Sequence, residues 1–185
     1  MRVIAGKAKG CSLKYPKEPR IRPTTDMIKE AIFSALEAAT IDWTRALDLY
    51  AGTGSLGIEA LSRGSDEADF VENNPKCCWV IRDNLKHTGF SERANVYRLD
   101  ASKASITLNK EYSLIFMDPP YADHDAWKTL AKIADSDLAG IHTTIVMEHS
   151  QKTSGDIQYG DFQISNSLRH GDTCVSIFQH CGGSN

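Results

Sequence analysis

The chain has 185 residues, enough for one domain with a sizeable core. No apolar run reaches the roughly 18–20 residues that a membrane span needs, and the N-terminus carries no apolar stretch of signal-peptide type, so a cytoplasmic protein without membrane contact is expected. The net charge of −3 hides an asymmetry, because residues 1–23 hold seven Lys/Arg against one acid and leave the other 162 residues at −9.

In chain order, residues 2–5 and 11–15 read as two short strands. Gly6 and Gly10 flank the connection Lys7-Ala8-Lys9, which predicts a hairpin with a basic tip. Such an arm on an acidic body points to a polyanionic partner, with Arg2, Lys7, Lys9 and Arg22 as its candidate contacts, or else to a solvated tail. Thr24-Thr25-Asp26 is a helix start, and the helix is predicted to run to about Ala39 with Ile28, Ile32, Leu36 and Ala39 inward.

From Arg45 the rhythm becomes strand, loop, helix. Residues 46–50 form a strand that ends in Ala51-Gly52-Thr53-Gly54-Ser55-Leu56-Gly57, and a helix follows to Gly64. The strand 68–71 closes on Glu72, a helix opens at Asn74-Pro75 and stops at Gly89, and the strand 94–99 ends at Asp100. Tyr112 to Met117 is a buried strand spilling into Asp118-Pro119-Pro120-Tyr121, followed by a helix around Trp127 and a strand from Thr143 to Met147. This alternation predicts βαβ units and a parallel sheet. The segments 162–168 and 174–178 flank Arg169-His170-Gly171-Asp172 and read as a terminal antiparallel hairpin, with residues 182–185 as a frayed end.

Gly52-x-Gly54-x-x-Gly57 after a strand and before a helix is the context in which a glycine loop approaches a ligand, and Glu72 lies 20 residues beyond Gly52, where a carboxylate can accept from ribose hydroxyls. Alone, these features fit a dinucleotide as well as S-adenosylmethionine. Asp48 before the loop favours the latter, since it can hold a cationic amino group and would oppose a pyrophosphate. Asp100 can accept from an adenine amino group. Asp118 and the Pro119 carbonyl can take the two protons of an exocyclic amine, steering its lone pair toward a methyl, and Tyr121 can stack on the base. His124 and His149 lie near strand ends as secondary candidates, while His87, His142, His170 and His180 read as surface. Five cysteines with an adjacent pair and no ligand spacing read as free thiols, and no metal is expected.

The stretches Arg2-Val-Ile-Ala-Gly6-Lys7, Arg22-Pro-Thr-Thr-Asp26, Leu47 to Gly64 and Asp118-Pro-Pro-Tyr121 resemble the RsmD family, bacterial guanine-N2 methyltransferases of 16S rRNA, in order from residue 1 to about 178. The resemblance implies an α/β class I S-adenosylmethionine-dependent methyltransferase (Rossmann-like) fold. Its sheet would be mostly parallel and seven-stranded, with a C-terminal antiparallel hairpin and an N-terminal β-hairpin plus helix extension. It divides the chain into a basic extension over 1–22 and a methyltransferase domain over 23–185. It implies S-adenosylmethionine as cofactor, S-adenosylhomocysteine as product, and 16S rRNA of the assembled or assembling 30S subunit as partner to a monomer. Asp118, Pro119, Pro120 and Tyr121 would be catalytic; Asp48, Tyr50, Gly52, Gly54, Glu72, Asn73, Asp100, Ala101 and Asp118 would bind the cofactor. Two departures stand out: Asn73-Asn74 where charged residues are common, and Leu99 where glycine is usual. Other amino-methyltransferases, acting on adenine N6, share the tetrapeptide. A silent rRNA-binding assembly factor and a nicotinamide-dependent oxidoreductase are further alternatives, the second leaving the tetrapeptide without a role.

Overall fold

A computed structural model describes residues 1–16, 26–153 and 155–182. Its elements are α1 (Asp26–Ala38), β1 (Arg45–Leu49), α2 (Ser55–Arg63), β2 (Glu67–Glu72), α3 (Pro75–Thr88), β3 (Ala94–Arg98), α4 (Ala104–Thr107), β4 (Tyr112–Met117), α5 (Ala126–Ala134), β5 (Ala139–Ser150), β6 (Gln158–Tyr159), β7 (Phe162–His170) and β8 (Thr173–His180), with 3-10 turns at Ser91–Arg93 and Ala101–Lys103. Among the described residues, eight strands pair in the order β3-β2-β1-β4-β5-β8-β7-β6. Strands β1 to β5 are mutually parallel, whereas β8 pairs antiparallel with β5, β7 with β8 and β6 with β7. The mostly parallel Rossmann-like sheet and its terminal antiparallel hairpin are as predicted. The extra strand is β6, two residues folded back on β7 through a turn with Gly160 at φ +54°, too short to show an alternating pattern in sequence.

The parallel strands are apolar on both faces because both are covered. Side chains alternate, so Ala46, Phe70, Leu114 and Phe116 face a core shared with α1, α2 and α3. Leu47, Val71, Ile115 and Met117 face the core that α4 and α5 close with Ala104, Leu130 and Ile133. Asn74 caps α3 by accepting from the Lys76 N–H at 2.9 Å, and Gly89 ends the helix in the left-handed region.

The N-terminal segment folds back on itself as the predicted hairpin, though its pairing is short: Val3 N–H donates to the Cys11 carbonyl, Leu13 N–H to the Met1 carbonyl, and Arg2 and Ser12 form an antiparallel bridge. What the sequence did not foretell is that α2 satisfies the backbone at its turn. The Ile4 and Ala5 N–H groups donate to the Glu59 carboxylate at 2.8 and 2.9 Å, and Ala8 N–H donates to Ser62 Oγ at 2.9 Å. Gly6, at φ +77°, lies so close that a Cβ would overlap the Ser62 carbonyl. Val3, Ala8 and Leu13 join the core beneath α1 and α2. A solvated tail is therefore excluded for residues 1–13. Arg22 and the Thr24-Thr25 cap lie outside the described residues, as does the tail beyond residue 182.

Helix α1 buries Ile28, Ile32 and Leu36 as predicted, but Ala39 falls beyond its end and is exposed, because Thr40 takes φ +51°. The unforeseen inward residue is Lys29. Its ammonium lies 3.3 Å from Glu59 and donates to the Arg2 carbonyl at 2.6 Å and to Ser55 Oγ at 3.2 Å. Burial pulls the Lys29 pKa down, against the opposing attraction of Glu59. Arg63 donates to the same carboxylate at 2.9 Å and stacks over the Phe33 ring at 4.8 Å. Removing one member of a buried ionic group strands the others, at about 3–5 kcal/mol. Glu59→Ala is therefore expected to lower the unfolding free energy by about 3–5 kcal/mol, read as a drop in the urea midpoint.

Candidate active site

The sheet grows in one direction through β1, β2, β3 and in the other through β4, β5, so β1 and β4 bracket the reversal point. In open α/β sheets the crevice for ligands opens there, outside the carboxyl ends of the strands. A cleft of about 1200 Å³ occupies that place, larger than the roughly 300–1000 Å³ usual for one small molecule. It is lined by the loop after β1, the ends of β2 and β3, the tetrapeptide after β4, one face of α5, Glu148 of β5 and Thr173 of β8.

The loop between β1 and α2 is shaped for close approach. Tyr50 takes φ +58°, unusual for a residue with a side chain, and Gly52 and Gly54 take φ +54° and +76°. Gly57 is helical, and a Cβ there would strike the Phe70 ring, so only glycine lets α2 settle on β2. Gly54 has no side chain to cap α2. Asp48 reaches forward from β1 instead and accepts from Gly57 N–H at 2.9 Å. At 1% exposure its carboxyl pKa is pushed well up, first by burial, with the charges of Asp118 and Glu72 adding to it and the Gly57 hydrogen bond opposing it. An acid so placed favours a positive group in the cleft.

Glu72 accepts from Gly52 N–H at 2.8 Å and from Asn74 N–H at 2.7 Å, one on each oxygen, which fixes the carboxylate while leaving further lone pairs. Asp100 begins a 3-10 turn and accepts from the N–H and Oγ of Ser102 at 2.9 and 2.6 Å. Those bonds hold its pKa below the usual carboxylate value, with a smaller contribution from Asn73. Tyr50 is half-buried, and its phenol is raised to about 12, mainly by burial. Ala101 is buried at the cleft wall.

In the tetrapeptide Pro119 is buried, Pro120 is exposed, and the Pro120 carbonyl turns the chain by accepting from Asp123 N–H at 2.8 Å. The Tyr121 hydroxyl shares a hydrogen bond of 2.7 Å with Thr173 Oγ1 at the start of β8. The ring, 39% exposed, is thereby tethered at the cleft edge with much of its surface open. Asp48, Tyr50, Gly52, Glu72, Asn73, Asp100, Ala101 and the four tetrapeptide residues all line this cleft, and Gly54 lies behind it in the same loop. Arg2, Lys7 and Lys9 stand apart on the N-terminal segment, exposed, outside the lining.

The histidines stay outside as well. His124 is exposed, and His149 is held by the Ser150 and Thr153 carbonyls and Ser176 Oγ with its ring against Trp127. Sequence reasoning missed Thr173, Thr129 and Lys132 of the lining and the buried Asn84 behind it. Asn84 accepts from Lys14 N–H at 2.8 Å and donates to the Lys14 and Thr53 carbonyls at 3.0 Å each, joining the N-terminal segment to the glycine loop. All five cysteines are free, as expected.

The family described as conserved hypothetical protein 95 matches residues 1–179. A putative rRNA methyltransferase of Bacillus subtilis, YlbH, is 37% identical over 98% of this chain and 100% of its own length. The ribosomal RNA small subunit methyltransferase D of Buchnera aphidicola is 31% identical over 82% of this chain and 79% of its own. Among solved structures, a putative methyltransferase of Escherichia coli, yhhF, superposes with a TM-score of 0.85 over 97% of both chains at 24% identity, which speaks to the fold. With a family match across nearly its whole length and a relative of this similarity, the chain belongs to the conserved hypothetical protein 95 family, the RsmD family of rRNA methyltransferases.

Proposed function

We propose that the protein transfers a methyl group from S-adenosylmethionine to the exocyclic N2 amine of a guanine in 16S rRNA. The observation that carries this reading is the convergence of Asp48, Glu72, Asp100 and Asp118, each at or near the end of a neighbouring parallel strand, on one cleft beside the glycine loop and Tyr121. S-adenosylmethionine supplies a sulfonium-bound methyl, already on a good leaving group. Asp48 receives the cationic amino end, Glu72 the ribose hydroxyls and Asp100 the adenine amine, with Tyr50, Asn73 and Ala101 forming the pocket walls. These residues fit because the ligand is positive where Asp48 is buried, and its charge offsets the cost of ionising that carboxyl.

Asp118 and the Pro119 carbonyl accept the two amine protons, so the nitrogen lone pair points at the methyl. Tyr121 stacks on the extruded base, worth about 1–3 kcal/mol against the few kcal/mol of unstacking. Orientation is the main catalytic contribution, of about 7–11 kcal/mol, since the nitrogen loses its proton readily once methylated. The partner is 16S rRNA in the assembled or assembling 30S subunit, met by a cytoplasmic monomer, and the exposed Lys7 and Lys9 of residues 1–22 contact its phosphates.

Labelled S-adenosylmethionine offered with 30S particles or 16S rRNA from cells lacking the enzyme is expected to mark one guanine at N2. Label on adenine would overturn the base assignment, and tight rRNA binding without label would favour a silent assembly factor. Asp118→Ala is expected to lower kcat by about 100-fold or more, the cost of losing reactant alignment, with S-adenosylhomocysteine affinity little changed in calorimetric titration. Lys7→Glu with Lys9→Glu is expected to weaken rRNA binding and flatten its salt dependence.

Asp48→Asn gives the opposite pattern. Because the folded-state pKa of Asp48 lies above its unfolded value, its contribution to stability is present at low pH and is lost as pH rises through the raised value. The amide keeps the Gly57 cap without the buried charge. The expected outcome is a higher Tm for the unliganded protein at pH 7, a flatter pH dependence of Tm, and cofactor binding weaker by about 1.5–3 kcal/mol, one charged hydrogen bond.

A further inference from the structure

The body of the chain is acidic, yet helix α3 turns a cationic face to solvent. Lys76, Trp79, Arg82 and Lys86 recur at intervals of three, three and four residues, which places them in one stripe along about 15 Å of helix. All four are exposed, and Trp79 is 63% exposed, among the largest apolar surfaces outside the cores. Arg98, exposed at the end of the sheet-edge strand β3, belongs to the same patch. Arg82 donates to the Val96 carbonyl of β3 at 3.0 Å, two residues before Arg98, which joins the helix face to that strand. Asp83, the acid that borders the stripe, is paired with Lys14 at 2.7 Å, so that its charge is offset by the N-terminal segment.

An exposed indole costs solubility and contributes nothing to either core. Flanked by cations at this spacing, it matches the chemistry of a nucleic-acid strand, a stacking surface for one base or sugar between groups that meet phosphates. A membrane surface would call for a wider apolar face, whereas α3 spends its apolar residues Cys77, Val80, Ile81 and Leu85 inward. The stripe also begins where the cleft ends, since Asn74 and Cys77 at the start of α3 line the cleft itself.

We propose that the Lys76-Trp79-Arg82-Lys86 face of α3, with Arg98 beside it, is an rRNA-docking surface that holds an unpaired stretch of the substrate outside the cleft, with one base or sugar stacked on Trp79. This rests on the rRNA reading above and adds a second contact region to it, on the other side of the cleft mouth from the tetrapeptide. None of these side chains touches the reacting atoms, so the surface acts on substrate binding and leaves the chemical step alone.

The test uses the full chain and two readouts, filter retention of 16S rRNA, which needs no turnover, and methyl transfer to unmethylated 30S particles. Trp79→Ala is expected to weaken rRNA retention about tenfold, the scale of one lost stack, and to raise KM with kcat unchanged, while Trp79→Phe restores most of both. Arg82→Gln with Lys86→Gln is expected to reduce the slope of log K against log salt by about 0.7 per cation removed. S-adenosylhomocysteine affinity and Tm at the wild-type value show that each variant is folded. Unchanged retention and KM in both variants would overturn the proposal. So would a raised KM for particles with naked rRNA retention unchanged, which would mean that the face meets a ribosomal protein. If the wild type binds rRNA through Trp79 but methylates no guanine, the functional reading falls and this surface stands; if it retains no rRNA at all, both fall.

Discussion

The hydrogen bond from Gly57 N–H to the Asp48 carboxylate is the joint on which the site depends. It fastens the first turn of α2 to the end of β1 across a loop that glycines alone could not hold in place. The cost is a carboxylate sealed from water with one backbone donor, short of what a buried charge needs. The remaining demand faces the cleft. Tyr50 in the left-handed region next to it is a second local cost in the same loop. Such costs gather where a ligand completes the structure, and a positive group beside Asp48 would relieve the larger one.

Glu59, the fifth residue of the same helix, is the counterexample that makes the point. It is equally buried, but four donors surround it, two backbone N–H groups, an ammonium and a guanidinium. Fully satisfied, it has nothing left to offer a ligand and works as a fastener for α1, α2 and the N-terminal segment. Two carboxylates of like burial on one βα unit thus have different tasks, decided by how many of their lone pairs the protein itself fills.

What could be read from the sequence divides along the same line. Elements set by local pattern were legible: the strand at 112–117, the Asn74-Pro75 start and Gly89 stop of α3, the glycine loop, and the acids at strand ends. The cleft was legible through them, because strand ends of a parallel sheet come together by topology. What escaped was set by distant partners. Lys29 reads as a solvent-facing lysine until Glu59 arrives from 30 residues away; Thr173 gains its place only when β8 inserts beside β5; Asn84 looks like a polar residue on a helix until Lys14 and Thr53 close around it. The N-terminal hairpin was legible but its docking on α2 was not, because the acceptors for the Ile4 and Ala8 N–H groups, Glu59 and Ser62, lie more than 50 residues along the chain.

The Asn84 junction also sets an order of assembly. Lys14 and Asn84 are separated by 70 residues, and a chain emerging at about 5–20 residues per second needs roughly 4–14 s to span that interval. During this time residues 4–8 can already meet Glu59 and Ser62 of α2, but the Lys14 end of the segment has no partner until Asn84 arrives. The glycine loop is made early but lacks the donor that holds the Thr53 carbonyl until α3 exists. Fastening of the Lys14 end and completion of the glycine loop are therefore one event, set by the arrival of α3, and the cleft wall closes later still, when β8 brings Thr173 to Tyr121.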